Sequence, residues 1–233
     1  MHSDKIIYTT MTNNGYIDYT ENLLKSIKVN NVDINLEVFT TDKKSYEYFS
    51  KKTITHDISQ NTEYEDFMLQ NNDEFGKLML KKFEMISLAL NMKEFVNYID
   101  GDIVIKRNYG EQLLNSIKHD DAFFQNDKRP SKPNWLNLGA GFMFIKSNKE
   151  TKKFFEPNEK MAKKFLKFKT HDQTYINKYK NKLNYKILPE ALFPNGPYYF
   201  SNKEKINPMI IHFNYLLGHD KKIKMKDNNE WYI

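Results

Sequence analysis

The stretch YIDGDIVI, residues 98–105, carries two aspartates, Asp100 and Asp102, directly after an apolar run that is typical of a buried strand. Two carboxylates that share a site repel one another unless a cation lies between them. The pair therefore indicates either a divalent metal site or a turn in which both side chains diverge into water. The spacing alone leaves both alternatives open.

The chain before the two aspartates alternates between strand and helix patterns. Strands are predicted over residues 5–12 and 34–42, and each is followed by residues with helical spacing, the second time over 43–52. A long helix over 72–92 and a strand over 94–99 then lead into the aspartates. This alternation predicts an α/β fold with a mainly parallel central sheet flanked by helices, in which ligands bind at the carboxyl ends of the strands.

The rest of the chain continues the alternation. A helix is predicted around 109–118, strands over 120–125 and 140–147, and a long lysine-rich helix from residue 149. The Pro-containing loop 127–135 is too short to separate domains. A length of 233 residues, of which 39% are hydrophobic, is compatible with one domain.

Composition excludes several kinds of site. Cysteine is absent, so disulfides, thiolate nucleophiles and Cys-ligated zinc are impossible, and any metal is held by Asp, Glu, His or carbonyl groups. The net charge is +6, but the 36 basic residues are interleaved with 30 acidic ones along most of the chain. Interleaving favours solvated faces over a nucleic-acid surface, with the cluster at 219–226 as the exception that could meet phosphate.

The N-terminal residues lack the apolar region of a signal peptide, and no stretch approaches the ~18 apolar residues of a membrane span. We therefore expect a cytoplasmic protein without a membrane span. The richness in Asn, Lys, Ile and Tyr resembles coding from an AT-rich genome, which points to a low-GC microbe or a cell infected by a large DNA virus.

Three kinds of metal site compete for the aspartate pair. One is the glycosyltransferase D-x-D motif, in which carboxylates hold Mn²⁺ or Mg²⁺ against the diphosphate of a nucleotide sugar. Another is the haloacid-dehalogenase-type phosphatase motif D-x-D-x-[TV], matched by Asp100, Asp102 and Val104. A calcium loop is weak because no further acidic ligands follow at the needed spacing. The phosphatase motif normally ends the first strand of its domain, whereas two strand-helix units come first here, which favours the glycosyltransferase order.

The C-terminal region supplies further candidates. A short strand, MII, ends in His212, and Gly218 begins a Gly-x-x-Lys pattern that includes Lys221. A histidine at a strand end is more often structural, but a distant aspartate pair needs further ligands. The sequence therefore predicts His212 as a metal ligand and the lysine as a phosphate contact.

A set of motifs that runs in order along nearly the whole chain carries a family resemblance: YTT, FGKLMLKKFEMISLAL, VNYIDGDIVI, AFFQND, GAGFMFIKSNKETKKFF, HDQTYINKY, LPEALFPNGPYYF and IIHFNYLLGHDKKI. In this order they resemble the nucleotide-diphospho-sugar transferases of the GT-A fold. The resemblance is to the branch that contains the rhamnogalacturonan xylosyltransferases and, more remotely, to glycogenin-like enzymes. It implies a single GT-A domain over 1–233, with a nucleotide-binding half, 1–105, and an acceptor half, 106–233, that ends in metal and diphosphate residues.

The resemblance implies a Mn²⁺ or Mg²⁺ ion held by Asp100, Asp102 and His212. It further assigns contacts with a nucleotide-sugar donor, most often UDP-linked, to these residues: Tyr8, Thr9 and Thr10 at the base and ribose, Lys82, Asp100, Gly101, Asn137, Gly218, Lys221 and Lys222. Gly101 is expected to leave room for the nucleotide, and Gly218 to let the backbone approach the diphosphate.

For the transfer step, the resemblance implies roles for Asp172, Gln173 and Lys221. Asp172 is either the base of an inverting enzyme or, with Gln173, a sugar contact of a retaining one. Relatives often have Asn-Ser-Gly or Asn-Ala-Gly where this chain has Gly139-Ala140-Gly141, so Asn137 is the candidate substitute for the missing amide. The identity of the sugar stays open.

These features together predict a metal-dependent glycosyltransferase that moves a sugar from a nucleoside diphosphate to a hydroxyl acceptor on a glycan or protein. The relatives favour a retaining reaction. A Mg²⁺-dependent phosphatase that uses Asp100 and Asp102 is one alternative. A non-catalytic module that binds a nucleotide or glycan is the other.

Overall fold

The computed structural model describes residues 3–59, 74–129, 131–132, 134–168, 170–216 and 218–233. The first two residues of the helix predicted over 72–92 lie outside this part of the chain. Among the described residues, no helix is both long enough and apolar enough to cross a membrane.

The strands are β1 Ile6–Thr12, β2 Leu36–Thr40, β3 Thr55–Asp57, β4 Phe95–Ile99, β5 Ile103–Ile105, β6 Ala122–Asn126, β7 Leu138–Lys146, β8 Tyr185–Ile187 and β9 Ile210–His212. Within the described residues, seven of them form one sheet in the order β3-β2-β1-β4-β7-β6-β8, and β5 pairs with β9. β7 runs antiparallel to both of its neighbours, β4 and β6, whereas the other pairs of this sheet are parallel. The predicted mainly parallel α/β sheet is therefore confirmed.

The helices are α1 Ile17–Val29, α2 Lys43–Phe49, α3 Glu74–Met92, α4 Gly110–Ser116, α5 Lys149–Phe155, α6 Glu159–Ala162, α7 Asp172–Tyr179, α8 Gly196–Asn202 and α9 Gly218–Asp227. The prediction of one long helix from residue 149 is wrong. α5 ends at Phe155 because Pro157 disfavours helical backbone at the preceding Glu156, which is extended. Asn158 then caps α6, which continues as a π-helix, Lys163–Lys167.

Helices cover both faces of the sheet. α3 buries Phe83, Ile86 and Leu90, at the spacing of one helical face, among the apolar side chains of one sheet face. α1 buries Leu23 and Ile27 on the other face. With both faces covered, the carboxyl ends of β1 and β4 form the accessible edge at which polar side chains can gather.

Gly76 in α3 lies against the backbone of the π-helix. An added Cβ would come within 2.6 Å of the Phe165 carbonyl oxygen. Gly to Ala in a helix ordinarily stabilises by about 1 kcal/mol. Here we expect Gly76→Ala to lower the free energy of unfolding by about 1–2 kcal/mol, because the backbone atoms of the π-helix that the new methyl group meets can move only with strain.

Urea unfolding of Gly76→Ala measures this effect, and Ser87→Ala on the same helix is the matched control, expected to change stability by less than about 0.5 kcal/mol. A stabilised Gly76→Ala protein would contradict the close packing of α3 on the π-helix.

Candidate active site

A pocket of about 330 Å³ opens where β1 and β4 end. Six of the predicted site residues line it, namely Lys82, Asp100, Gly101, Asp102, Asp172 and Lys221. Its remaining lining residues are Met11, Thr12, Asn13, Tyr16, Phe75, Leu78, Met79 and Tyr98. The pocket thus combines a charged end with an apolar wall, a composition typical of ligand sites.

Strand pairing brings the candidate metal ligands together. Asp100 follows the last residue of β4, and the antiparallel register of β5 with β9 sets Ile103 opposite His212. The Phe213 N–H also donates to the Asp102 carbonyl oxygen at 3.1 Å. As a result, one ligand atom from each of Asp100, Asp102 and His212 lies within 4.8 Å of the others.

The donor atoms of this group suit a divalent cation. His212 Nε2 lies 3.3 Å from Asp102 Oδ1 and 3.9 Å from Asp100 Oδ2. Asp102 and His212 are buried, whereas the Asp100 side chain is one-third exposed and faces the pocket. Two carboxylates and one imidazole at such separations can hold Mn²⁺ or Mg²⁺ and leave positions for ligand oxygens.

Gln125 orients the imidazole of His212. The Gln125 amide donates from Nε2 to the carbonyl oxygens of Phe193 and Pro194, at 3.1 and 2.8 Å, so its Oε1 is fixed toward His212. Oε1 lies 2.7 Å from His212 Nδ1, which must therefore carry a proton and donate it. This arrangement turns Nε2 toward the two aspartates, as a metal ligand requires.

Gly141 on β7 forms the floor under the same group. A Cβ at this position would overlap the His212 imidazole and the Asp100 carboxylate, and the Gly141 carbonyl oxygen accepts from the Asp100 N–H at 2.7 Å. Only glycine leaves this space free. In the sequence, Gly139-Ala140-Gly141 indicates only a departure from the family pattern, and this role is not predicted.

Lys82 joins two of the predicted carboxylates. Its Nζ lies 2.7 Å from Asp172 Oδ2 and 3.3 Å from Asp100 Oδ1. Burial on its own would lower the Lys82 pKa, but Asp100 and Asp172 outweigh it and raise the pKa, so the ammonium stays charged.

The Tyr98 hydroxyl donates to Asp100 Oδ1 at 2.5 Å. Burial, together with Asp100, keeps the Tyr98 pKa well above its usual value, which preserves the hydroxyl as a donor.

Lys221 neutralises Asp102 from the first turn of α9. Its Nζ lies 2.5 Å from Asp102 Oδ2. Burial opposes ionisation of Asp102, but His212 and Lys221 outweigh it and hold the Asp102 pKa well below its usual range. Asp102 is therefore a buried carboxylate held between two basic side chains.

The structure separates the two lysines that the sequence could not distinguish. Lys222 does not line the pocket; its Nζ pairs with Asp18 at 2.9 Å and lies 4.7 Å from the centre of the Trp231 ring. Gly218 begins α9 with φ +47 and accepts a hydrogen bond from the Tyr19 hydroxyl. The predicted diphosphate contacts of Lys222 and Gly218 therefore lack a place in the pocket.

Tyr8, Thr9 and Thr10 also lie outside the pocket. Tyr8 lines a different cavity of about 450 Å³, beside Tyr109, while the hydroxyls of Thr9 and Thr10 are buried in the sheet. The reason is the length of β1: its carboxyl end is Thr12, so residues 11–13 reach the pocket instead. The rule that ligands bind at carboxyl ends would have selected these residues.

Asn137 and Gln173 belong to a network around Asp127, a residue of the AFFQND motif for which the sequence pattern predicts no role. Asn137 Nδ2 donates to the Asp127 carbonyl oxygen at 3.0 Å. The Asp127 carboxylate accepts from the side chains of Gln173, Asn195, Asn214 and Tyr215. Gln173 uses its other end to accept from the Ala140 N–H at 3.3 Å, so neither predicted amide points into the pocket.

Gly101 lines the pocket, but a side chain at this position would first meet another part of the protein, Thr20. A Cβ there would lie 3.0 Å from Thr20 Oγ1 on α1. The close approach of α1 therefore favours glycine at this position independently of any space for a nucleotide.

A family described as nucleotide-diphospho-sugar transferase matches residues 32–225. A UDP-galactose:fucoside alpha-3-galactosyltransferase from Dictyostelium discoideum is 26% identical over 99% of this chain. A UDP-D-xylose:L-fucose alpha-1,3-D-xylosyltransferase from Arabidopsis thaliana is 36% identical over 28% of it. The chain belongs to the nucleotide-diphospho-sugar transferase family.

Solved structures of glycosyltransferases share the fold. A glycosyltransferase involved in the glycosylation of the major capsid of PBCV-1 superposes with a TM-score of 0.60 at 10% identity, over 95% of this chain and 98% of that one. The predicted GT-A fold is confirmed. The chain spans 43% of the Dictyostelium relative and 20% of the Arabidopsis one.

If Gln125 fixes the imidazole, its loss should weaken metal binding. We expect Gln125→Met, which keeps the size but removes the acceptor, to lower Mn²⁺ affinity about 10- to 100-fold. Electron paramagnetic resonance of free Mn²⁺ in a titration measures the affinity. Gln112→Met, on the exposed side of α4, is the control and should leave it unchanged. Unaltered Mn²⁺ affinity in a folded Gln125→Met protein would refute the orienting role.

Lys221 and a divalent cation compete for the same Asp102 carboxylate. We therefore expect Lys221→Met to bind Mn²⁺ roughly tenfold tighter than wild type, a difference of about 1.4 kcal/mol, when no nucleotide is present. With UDP present the advantage should vanish or reverse, because we expect the lysine then to pair with the diphosphate.

The same Mn²⁺ titration, with and without UDP, tests this competition. Lys222→Met is the matched control, since its ammonium pairs with Asp18 outside the pocket. Weaker Mn²⁺ binding by Lys221→Met in the absence of nucleotide would show that the two cations do not compete.

Proposed function

We propose that this chain is a metal-dependent, retaining glycosyltransferase that moves a sugar from a UDP-sugar to a hydroxyl of a glycan or protein acceptor. The observation that carries the proposal is the convergence of Asp100, Asp102 and His212 within 4.8 Å at the end of a ligand-sized pocket. Membership of the nucleotide-diphospho-sugar transferase family supplies the donor class.

Asp100, Asp102 and His212 hold the divalent cation in this proposal. When bound, the cation neutralises the charge that develops on the departing diphosphate. The mixed oxygen and nitrogen donor set favours Mn²⁺ over Mg²⁺, which prefers oxygen ligands alone. Lys221 adds a second positive charge on the same side of the pocket, and its burial strengthens any interaction with an anionic ligand.

Asp172 serves as a positioning group rather than as the base. Its carboxylate is fixed by Lys82 at 2.7 Å and by the N–H of Gln173 at 2.7 Å, so its orientation in the pocket is set before substrate binds. A fixed carboxylate can accept hydrogen bonds from the hydroxyls of the transferred sugar. In a retaining reaction, the leaving phosphate oxygen can take the proton of the acceptor hydroxyl.

The two relatives narrow the substrate proposal. Both are named for a UDP donor, and both for α-3 transfer to fucose, one of galactose and one of xylose. UDP-galactose and UDP-xylose are α-linked, so an α product retains the configuration. We therefore propose UDP-galactose or UDP-xylose as donor and a terminal fucoside as acceptor.

The two alternative functions that the sequence left open are weaker. Family membership argues against the haloacid-dehalogenase-type phosphatase. A non-catalytic module predicts donor binding without turnover, and the experiment below separates it from an enzyme. The cytoplasmic location and the division into halves 1–105 and 106–233 stay predictions from the sequence.

A panel of UDP- and GDP-linked sugars, with and without Mn²⁺, tests the proposed function. We expect Mn²⁺-dependent thermal stabilisation by UDP-galactose or UDP-xylose, and transfer to a methyl fucoside that mass spectrometry detects. Asp102→Asn keeps the shape of the side chain but not its charge, and should reduce turnover at least about 100-fold.

Asp220→Asn is the matched control, because Asp220 is exposed on α9 and does not line the pocket. It should leave turnover unchanged. Stabilisation without transfer to any acceptor hydroxyl or to water would favour the binding module, and no response to any nucleotide sugar would refute the proposal.

A further inference from the structure

One stretch of the chain holds all of the excess positive charge. Residues 149–186 contain twelve lysines and four acidic residues, a net charge of +8, whereas the whole chain carries +6. The remaining residues are therefore slightly acidic, and the interleaving of charges that holds elsewhere fails here. The stretch contains no arginine.

Most of the described lysines of this stretch lie exposed on one layer of helices. α5, the π-helix and α7 bury their aromatic side chains, Phe155, Phe165 and Tyr175 among them, in the core shared with α3. Eight exposed lysines remain on the described helices of this layer. Seven of them, all except Lys149 at the start of α5, define what we call the lysine surface: Lys152, Lys153, Lys160, Lys163, Lys167, Lys178 and Lys182.

The lysine surface lacks counter-ions. Within the described part of the chain, none of its seven lysines has a carboxylate within 4.0 Å, although lysines elsewhere, such as Lys52, Lys106 and Lys128, are paired. Three of the seven converge on one ring: Lys160, Lys178 and Lys182 lie 5.9, 6.0 and 5.0 Å from the centre of Tyr179. Like charges that gather around one ring without a described carboxylate nearby favour the binding of an anionic ligand.

An apolar side chain stands out among these charges. Phe168 follows the π-helix, is 57% exposed and has Lys164 Nζ 5.2 Å from its ring centre. An exposed phenylalanine flanked by lysines matches the composition of surfaces that lie in the interface of an anionic bilayer. Lysine suits such a surface, because its stem packs on apolar material while the ammonium stays in water.

We propose that the lysine surface binds anionic lipid membranes peripherally, with Phe168 entering the headgroup region. Each lysine near an anionic bilayer strengthens binding roughly fivefold, so seven of them suffice for salt-sensitive association. A nucleic acid is a less suitable ligand for this surface, because residues 149–186 contain no arginine, whose guanidinium group makes paired hydrogen bonds to phosphates and base edges. The proposal does not depend on the transferase activity.

Co-sedimentation with vesicles tests the proposal. The full chain should bind vesicles of phosphatidylcholine with phosphatidylserine but not phosphatidylcholine alone, and should lose binding between about 50 and 500 mM salt. A quadruple variant, Lys152→Gln, Lys153→Gln, Lys163→Gln and Lys167→Gln, should bind at least about tenfold more weakly. Phe168→Ser should weaken binding at every salt concentration.

The matched control removes the same charge elsewhere, with Lys28→Gln, Lys44→Gln, Lys118→Gln and Lys203→Gln, all exposed. It should bind vesicles at least about five times more tightly than the surface variant. If both variants lost the same amount of vesicle affinity, net charge alone would explain the binding, and the proposal would be overturned. Failure to bind acidic vesicles would also overturn it, as would tighter binding of single- or double-stranded oligonucleotides that depends on the same lysines.

Discussion

The candidate site depends on one buried carboxylate, Asp102, that contacts two basic side chains. His212 reaches it from β9 and Lys221 from α9, so segments more than a hundred residues away in sequence meet on a single side chain. Removing one partner of a buried charge pair typically costs about 3–5 kcal/mol, because the remaining charge stays uncompensated. The β5–β9 pairing and the docking of α9 must therefore both form before the pocket has its shape.

The pattern of the sequence was sufficient for the fold and for the centre of the site. Strand-helix alternation predicts the sheet, and the resemblance of the ordered motifs selects Asp100, Asp102, His212 and Lys221, which the structure brings together. Periodicity did not predict the break after Phe155, although Pro157 is visible in the sequence. The resemblance assigned donor contacts to Tyr8, Thr9 and Thr10, whereas the carboxyl end of β1, at Thr12, is the part of this strand that lines the pocket.

The roles of the residues that support the site could not be predicted from the spacing of residues in the sequence. Gln125 acts only because two carbonyl groups 68 and 69 residues away fix its amide, and Gly141 matters only because β7 runs beneath the ligands. Lys221 and Lys222 differ by one position, and only the orientation of α9 decides which of them faces Asp102. Such assignments require the tertiary contacts themselves.

The central claim is that Asp100, Asp102 and His212 bind a divalent cation that also contacts the diphosphate of the donor. Pulsed electron paramagnetic resonance of the protein with Mn²⁺ and UDP tests it directly. The account predicts magnetic coupling of Mn²⁺ both to a histidine nitrogen and to phosphorus, with the nitrogen coupling lost in His212→Gln. Mn²⁺ that shows no nitrogen coupling, or retains it in His212→Gln, would contradict the account.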